Sequence, residues 1–276
     1  MELGLSTLLF PNSSPVDGVK IASDLNLDYV EIILDMPHFP INQYEDKISE
    51  LKSTIKNLDL KVRIHGRFWD LNPISQYPQI REIALNRTLE SIEVCEELNG
   101  DVVTIHPGRC WFRENQELFR EYKENYHEYI REIEEKAREK GIMIGVETGA
   151  QEIDLPHGTE EYNEILDKFK NVGITLDVGH AFIATQTGEE NNPEKGVVEL
   201  IEELNGGLIN VHLHDNFGQN DQHLPLKEGK INFNTILKAL DKHYGGPIIL
   251  ELWKPSKPKI SAEKSVEQLK GELNKL

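Results

Sequence analysis

Residues 143–180 read MIGVETGAQEIDLPHGTEEYNEILDKFKNVGITLDVGH. Met143–Glu147 and Gly173–Val178 are short runs rich in Ile, Val and Leu, with little polar alternation. Strands buried on both faces look like this. Between them, Thr159–Phe169 carries helical patterning. The unit is strand, helix, strand, and each strand closes on a carboxylate, Glu147 and Asp177.

The same unit recurs in both directions along the chain. Further strand-like runs are Leu3–Phe10, Tyr29–Leu34, Lys61–Phe68, Val102–His106, Ile209–His214 and Ile248–Trp253, which brings the number to eight. Helical segments fill the gaps. Gln79–Leu98 is amphipathic and ends at Asn99-Gly100, a helix stop. Leu118–Lys140 is laced with Glu, Arg and Lys and closes at Gly141. Pro193–Leu204 opens on proline, and Asn234–His243 and Ser261–Leu273 complete the set. Strict alternation predicts a parallel (β/α)8 TIM barrel, and 276 residues suit one such unit spanning residues 1–276. A doubly wound open sheet would share the alternation, but neither Gly-x-Gly-x-x-Gly nor a P-loop is present to support it.

The ionisable residues fall at the ends of these runs. The third run ends in Arg63-Ile-His65-Gly66 and the fourth in Thr104-Ile-His106-Pro107. The fifth ends in Glu147-Thr-Gly149 and the sixth in Asp177-Val-Gly-His180. The seventh gives His212-Leu-His214-Asp215, with Asp221-Gln-His223 beyond it, and the eighth gives Leu250-Glu251. In a barrel, strand ends converge on one face. A lone strand-end His is more often a hydrogen-bonded core residue, but a run of acids and imidazoles arriving together is a different matter. Buried carboxylates repel one another, and divalent cations hold them together. His, Asp and Glu without Cys suit Zn²⁺, Mn²⁺ or Fe²⁺.

This set resembles the endonuclease IV and xylose-isomerase-like TIM-barrel superfamily (AP endonuclease family 2), over nearly the whole chain. In the endonuclease IV branch nine residues bind three metal ions, and each has a counterpart here: His65, His106, Glu147, Asp177, His180, His212, Asp221, His223 and Glu251. By that resemblance Glu147 would bridge two metals. His65 and His106 would complete the first site, Asp177, His212 and Glu251 the second, and His180, Asp221 and His223 the third. Zn²⁺, up to three ions, is then the expected cofactor. The sugar isomerase and epimerase branch keeps Glu147, Asp177, His212 and Glu251 around one Mn²⁺, Co²⁺ or Mg²⁺. Two motifs depart from endonuclease IV: Asp-Val-Gly-His at 177–180 stands for Asp-Thr-Cys-His, and His-Leu-His-Asp at 212–215 for His-Leu-Asn-Asp.

Two enzymatic readings follow. The first is metal-dependent phosphoester hydrolysis, with abasic-site DNA as the named substrate. The second is isomerisation or epimerisation of a sugar or sugar phosphate, with Glu147 and Glu251 as the acid–base pair. A non-catalytic metal-binding scaffold is a third, weaker reading. A basic rim of Arg67, Arg109, Arg113, Lys227, Lys230, Lys254, Lys257 and Lys259 is expected to hold phosphate, and Phe68, Trp69, Trp111, Phe112 and Phe217 to wall a sugar or stack on a base. His38, His127, His157 and His243 read as surface residues, and His214 as a residue behind the metal ligands. The net charge of −18 argues against non-specific binding to DNA or anionic membrane, and a phosphorylated or sugar-containing substrate is the expected partner. No protein partner is expected. No apolar run approaches the ~20 residues of a membrane helix, the N-terminus does not read as a signal peptide, and two cysteines without a CxxC motif suit a reducing cytoplasm.

Overall fold

A computed structural model describes residues 1–40, 44–187, 192–253 and 255–276. Eight parallel strands close a barrel in chain order: β1 (Leu3–Ser6), β2 (Tyr29–Ile33), β3 (Lys61–His65), β4 (Val102–Ile105), β5 (Met143–Glu147), β6 (Val172–Asp177), β7 (Leu208–Leu213) and β8 (Ile248–Leu250), which pairs back with β1. The Ile/Val/Leu runs are strands because nearly every residue packs, one face against the barrel interior and the other against the helices; Lys61, at the start of β3, is the exposed exception. The sequence ranges overran the strands at their C-terminal ends. Thr7–Leu9 is a 3₁₀ turn, and the pairing of β3 and β8 stops at His65 and Leu250. Those overruns are the chain turning outward at the face that carries the site.

The helices are α1 (Pro15–Asp24), α2 (Tyr44–Ile55), α3 (Pro78–Glu97), α4 (Gln116–Glu139), α5 (Gly158–Lys168), α6 (Val178–Ala184), α7 (Pro193–Glu203), α8 (Phe233–His243) and α9 (Pro258–Leu273). Local chemistry sets their ends. Ser14 and Asp17 form a capping box on α1, and Asn115 accepts from the N–H groups of Glu117 and Leu118 to start α4. Asn99 takes φ 54° after α3 and Gly141 φ 69° after α4, the left-handed stops that the sequence predicts. α4 buries Tyr126, Ile130 and Ile133, each contributing roughly 1.5–3 kcal/mol by burial. No helix of the described residues is long and apolar enough to cross a membrane.

Two local features aim the site. α6 begins directly at the end of β6, because the Asp177 carboxylate caps it by accepting from His180 N at 2.7 Å. In β7 one extra residue interrupts the pairing: Ile174 faces Leu208 but Thr175 faces Asn210. This bulge lets Ile209 and Asn210 both turn inward. The Ile209 side chain fills space left by Gly145 and Gly173, whose added Cβ atoms would meet it at 3.6 and 2.5 Å. The same register sets Asp177 opposite His212.

Candidate metal centre

The strand ends and the loops after them bring ten acids and imidazoles to one face of the barrel, in three groups. His65 and His106 meet Glu147; Glu147 meets Asp177, His212 and Glu251; and His180, Asp221 and His223 lie together with His214. Within each group one donor atom per residue lies within 4.8 Å of the others. Two ligands of one ion are at most about 4.4 Å apart, so each group is close to the dimensions of a metal site. Glu147 belongs to two groups. Its Oε2 is 3.0 Å from His106 Nε2 and 3.7 Å from His65 Nε2, while Oε1 is 2.9 Å from His212 Nδ1.

The second nitrogen of each ring shows which atom is left for an ion. A carbonyl only accepts, so a ring nitrogen facing one carries the proton. His65 Nδ1 faces Gly66 O at 3.0 Å, His180 Nδ1 faces Thr148 O at 2.9 Å, and His223 Nδ1 faces Glu251 O at 2.8 Å. Nε2 of each is therefore the free donor. His212 is reversed: Nε2 faces the Glu31 carboxylate, and Nδ1 points to Glu147, to Glu251 at 3.3 Å and to Asp177 at 4.0 Å. Asp177 is divided in the same way. Its Oδ1 accepts from His180 N and from His214 Nε2 at 3.1 Å, and its buried Oδ2 has no hydrogen-bond partner among the described residues. Glu147 Oε2 is also buried without a hydrogen bond, although His106 Nε2 is near. Orphaned carboxylate oxygens facing ring nitrogens that have no carbonyl partner are what a divalent cation requires, since the ion takes the place of the shared protons. The residues fit such ions.

Charge agrees with geometry. Burial alone would raise Glu147, but His106, His212 and His65 hold it well below the usual carboxylate range. Asp177 and Asp221 are likewise depressed against burial, by His180 and His214 and by His180 and His223. Burial opposes charge on His65 and His223, yet Glu147 and Asp221 respectively lift them to about 9. His106 is pushed down to about 4 by burial. Phe68 lies flat on that ring at 4.0 Å, fixing its plane.

His223 sits at φ 46°, an unusual conformation for a non-glycine residue. It is held there by Nδ1 on Glu251 O and by its own carbonyl accepting from Trp253 N at 3.0 Å. The loop bearing Asp221 and His223 hangs on Asp215, whose carboxylate accepts from the N–H groups of Asn216, Gly229 and Ile231. Asp35 does the same for the opposite wall. One of its oxygens accepts from Phe68 N at 2.8 Å and Trp69 N at 2.9 Å.

The ions would face a cavity of about 180 Å³ walled by Leu8, Ile33, Phe68, Trp69 and Trp253. Trp69, expected to touch substrate, is there and packs against Trp253. The expected basic rim is not. Among the described residues, no Lys or Arg lines this cavity. Arg67 instead stacks on Tyr44, because the loop held by Asp35 turns it away from the pocket. Arg109 is exposed on a two-residue strand pairing with Asp154–Leu155. Lys227 is taken up by Glu272 at 2.8 Å. Lys230 is exposed outside the cavity, and Lys254 lies outside the described residues. Of the aromatic residues, Trp111, Phe112 and Phe217 are exposed away from the cavity. His38, expected on the surface, is buried, with Nε2 on Phe10 O at 2.6 Å.

Sequence reasoning missed Glu31, Asn210 and Arg63, an inward-facing layer beneath the ligands. Glu31 carried a signal: it is the one charge inside an otherwise apolar strand, and a buried acid must have a partner.

The sequence matches the xylose isomerase-like TIM-barrel family over residues 19–272. It is 32% identical over 260 residues to the uncharacterized protein MJ1311 of Methanocaldococcus jannaschii, covering 91% of this chain and 83% of that one. It is 28% identical over 245 residues to a probable endonuclease 4 of Persephonella marina, covering 83% of each. Among solved structures, a D-tagatose 3-epimerase-like protein superposes with TM-score 0.83 at 31% identity, over 99% of this chain and 97% of that one. The TTHB071 protein from Thermus thermophilus, soaked with ZnCl2, superposes with TM-score 0.73 at 19% identity over 100% and 99%.

Proposed function

The chain belongs to the xylose isomerase-like TIM-barrel family, and from that premise we propose that it is a divalent-metal-dependent phosphoester hydrolase working through a cluster of up to three ions, Zn²⁺ first among them. The observation that carries the reading is the sharing of Glu147 between two ligand groups, with a third group facing the same cavity. A one-ion isomerase needs only the group of Glu147, Asp177, His212 and Glu251.

His65, His106 and Glu147 would hold one ion, Glu147, Asp177, His212 and Glu251 a second, and His180, Asp221 and His223 a third. Bound there, divalent ions stabilise charge on a phosphoryl group and make water a competent nucleophile near neutral pH. The chain's own residues do the rest. The described cavity lining offers no Ser, Thr, Cys or Lys as a nucleophile. Phe68, Trp69 and Trp253 exclude bulk water, which strengthens every charge interaction inside. Among the described residues no cation lines the walls, so the substrate's anionic group would go to the ligand clusters. A cavity of about 180 Å³ takes one phosphorylated, sugar-sized group. An abasic nucleotide turned out of a DNA duplex and a free sugar phosphate both meet that description.

A second reading has its own support. The aromatic walls suit the C–H faces of a sugar, and the solved relative at 31% identity is described as D-tagatose 3-epimerase-like. In that reading Glu147 and Glu251 exchange a proton with the substrate. His223→Ala separates the two. Of the proposed ligands it removes one from the third group alone, so a hydrolase should drop from three bound ions to about two and lose roughly 10²–10³-fold in turnover. Metal analysis is run beside assays on an abasic-site duplex, small phosphoesters and ketoses. One ion in both proteins, with sugar epimerisation and no phosphoester cleavage, decides for the second reading.

A further inference from the structure

Below the ligands runs a buried polar chain that neither reading uses. Glu31 on β2 is 0% exposed. Its two oxygens lie 3.0 and 3.1 Å from His212 Nε2. Oε2 also accepts from Asn210 Nδ2 at 2.8 Å. The Asn210 amide is held the right way round from its other end, because Arg63 Nη1 donates to Asn210 Oδ1 at 2.8 Å and to Ile209 O at 2.7 Å. Arg63 in turn reaches Asp101 at 3.3 Å, at the opposite mouth of the barrel. Cation, amide and carboxylate stand in line, and the chain ends on one imidazole nitrogen.

We propose that Glu31 is a positioning residue for the second metal group: it keeps the Nε2 proton of His212, so that Nδ1 is the nitrogen presented to Glu147, Asp177 and Glu251, and it makes that nitrogen a stronger donor. His65, His180 and His223 use a backbone carbonyl for this task (Gly66, Thr148 and Glu251). His212 uses a carboxylate, a stronger acceptor that pushes electron density through the ring toward the ion. A ring turned over would set C–H groups against two buried carboxylates and leave Glu31 facing carbon, which the interior does not tolerate. Asn210 and Arg63 keep Glu31 aimed. The inference rests on His212 being a metal ligand and holds for either reaction.

Glu31→Gln keeps the shape and removes the charge. Chelator-treated wild type and variant are titrated with Zn²⁺ against a competing chromophoric chelator, and with Co²⁺ followed by visible absorption. One Zn²⁺ should bind about 10–100-fold more weakly in the variant while the rest are unchanged, and one component of the Co²⁺ spectrum should change. Circular dichroism of the metal-free proteins controls for folding. A folded variant that binds every ion as tightly as wild type overturns the proposal. Wild type that binds no divalent ion overturns the metal centre itself, and the proposal with it. If the variant does not fold, ¹⁵N spectra of Zn²⁺-loaded wild type decide: a proton on His212 Nε2 is the expected result, and a metal on Nε2 refutes it.

Discussion

Gly179→Ala tests the packing behind the metal centre with a change of sign. Gly179 is in α6 with helical neighbours, where alanine should add up to about 1 kcal/mol. Here an added Cβ would stand 2.0 Å from His214 Cε1 and 2.4 Å from its Nε2. Ordinary carbon contacts need about 3.5 Å, so the ring must retreat by about 1.5 Å. It has nowhere to go. His214 is 0% exposed, lies flat against His223 at 3.8 Å, and donates to Asp177 at 3.1 Å. A clash with a pinned ring belongs at the upper end of the range of about 1–3 kcal/mol for overpacking, so the net effect is a loss of about 2 kcal/mol. In a His214→Ala background the obstacle is gone and the same substitution should stabilise by up to about 1 kcal/mol. The coupling between the two positions is then about 3 kcal/mol, far above the ~0.5 kcal/mol scatter of independent sites. Urea unfolding of the four chelator-treated proteins measures it. A Gly179→Ala protein as stable as wild type, or one equally weakened with and without His214, refutes the reasoning. Glycine at 179 and histidine at 214, each a departure from the endonuclease IV motifs, would be one coupled change.

Two further outcomes follow from the ligand geometry. Glu147→Gln places an amide N–H₂ against one of the two groups that share it, and should remove the first and second ions while sparing the third. Elemental analysis would show about one ion per chain, with activity down roughly 10³-fold, and three retained ions would sink the bridging role. For pH, His65 and His223 sit at about 9 against an ordinary 6.5. The stability they lend the metal-free fold is whole below pH 6.5 and lost as pH rises to 9, at most about 3 kcal/mol each. The melting temperature of chelator-treated protein should fall by several degrees across that window. That of Zn²⁺-loaded protein should rise, because protons compete with the ions. Calorimetry at about pH 6, 7.5 and 9 checks both, and a flat profile for the metal-free protein counts against the charged pairs.

The barrel was legible because a strand buried on both faces has few ways to be written, and because Asn99, Gly141 and Pro193 mark helix ends by chemistry local to them. The meeting of the site residues was legible for a related reason: His65, His106, Glu147, Asp177, His212 and Glu251 stand at or just after the ends of their strands, and strand ends in a barrel share one address. What surrounds the ligands was not. The partners of Glu31 and Asp35 are 181 and 33 residues away in the chain, and no local pattern reports such a pairing. The basic rim failed because a loop's charge says nothing of its direction. Arg67 follows His65 by two residues, yet the Asp35 tether turns Phe68 and Trp69 into the cavity and sends Arg67 out of it.

Ile209, the extra residue of β7, bears on how this strand could change length in evolution. Leu208 already pairs with Ile174, and Asn210 with the next residue, Thr175. A deletion of Ile209 would therefore heal the strand without moving any other pairing. Every side chain above it would still face the same way, and the losses would be the barrel's plug against Gly145 and Gly173 and one of the carbonyls that receives Arg63. The same deletion a little further on, at Val211, would turn Asn210 or His212 out toward the helices, since a slip of one residue exchanges the two faces of a strand. Two neighbouring codons thus differ in what their loss would do: one removes a bulge, and the other dismantles the second metal group.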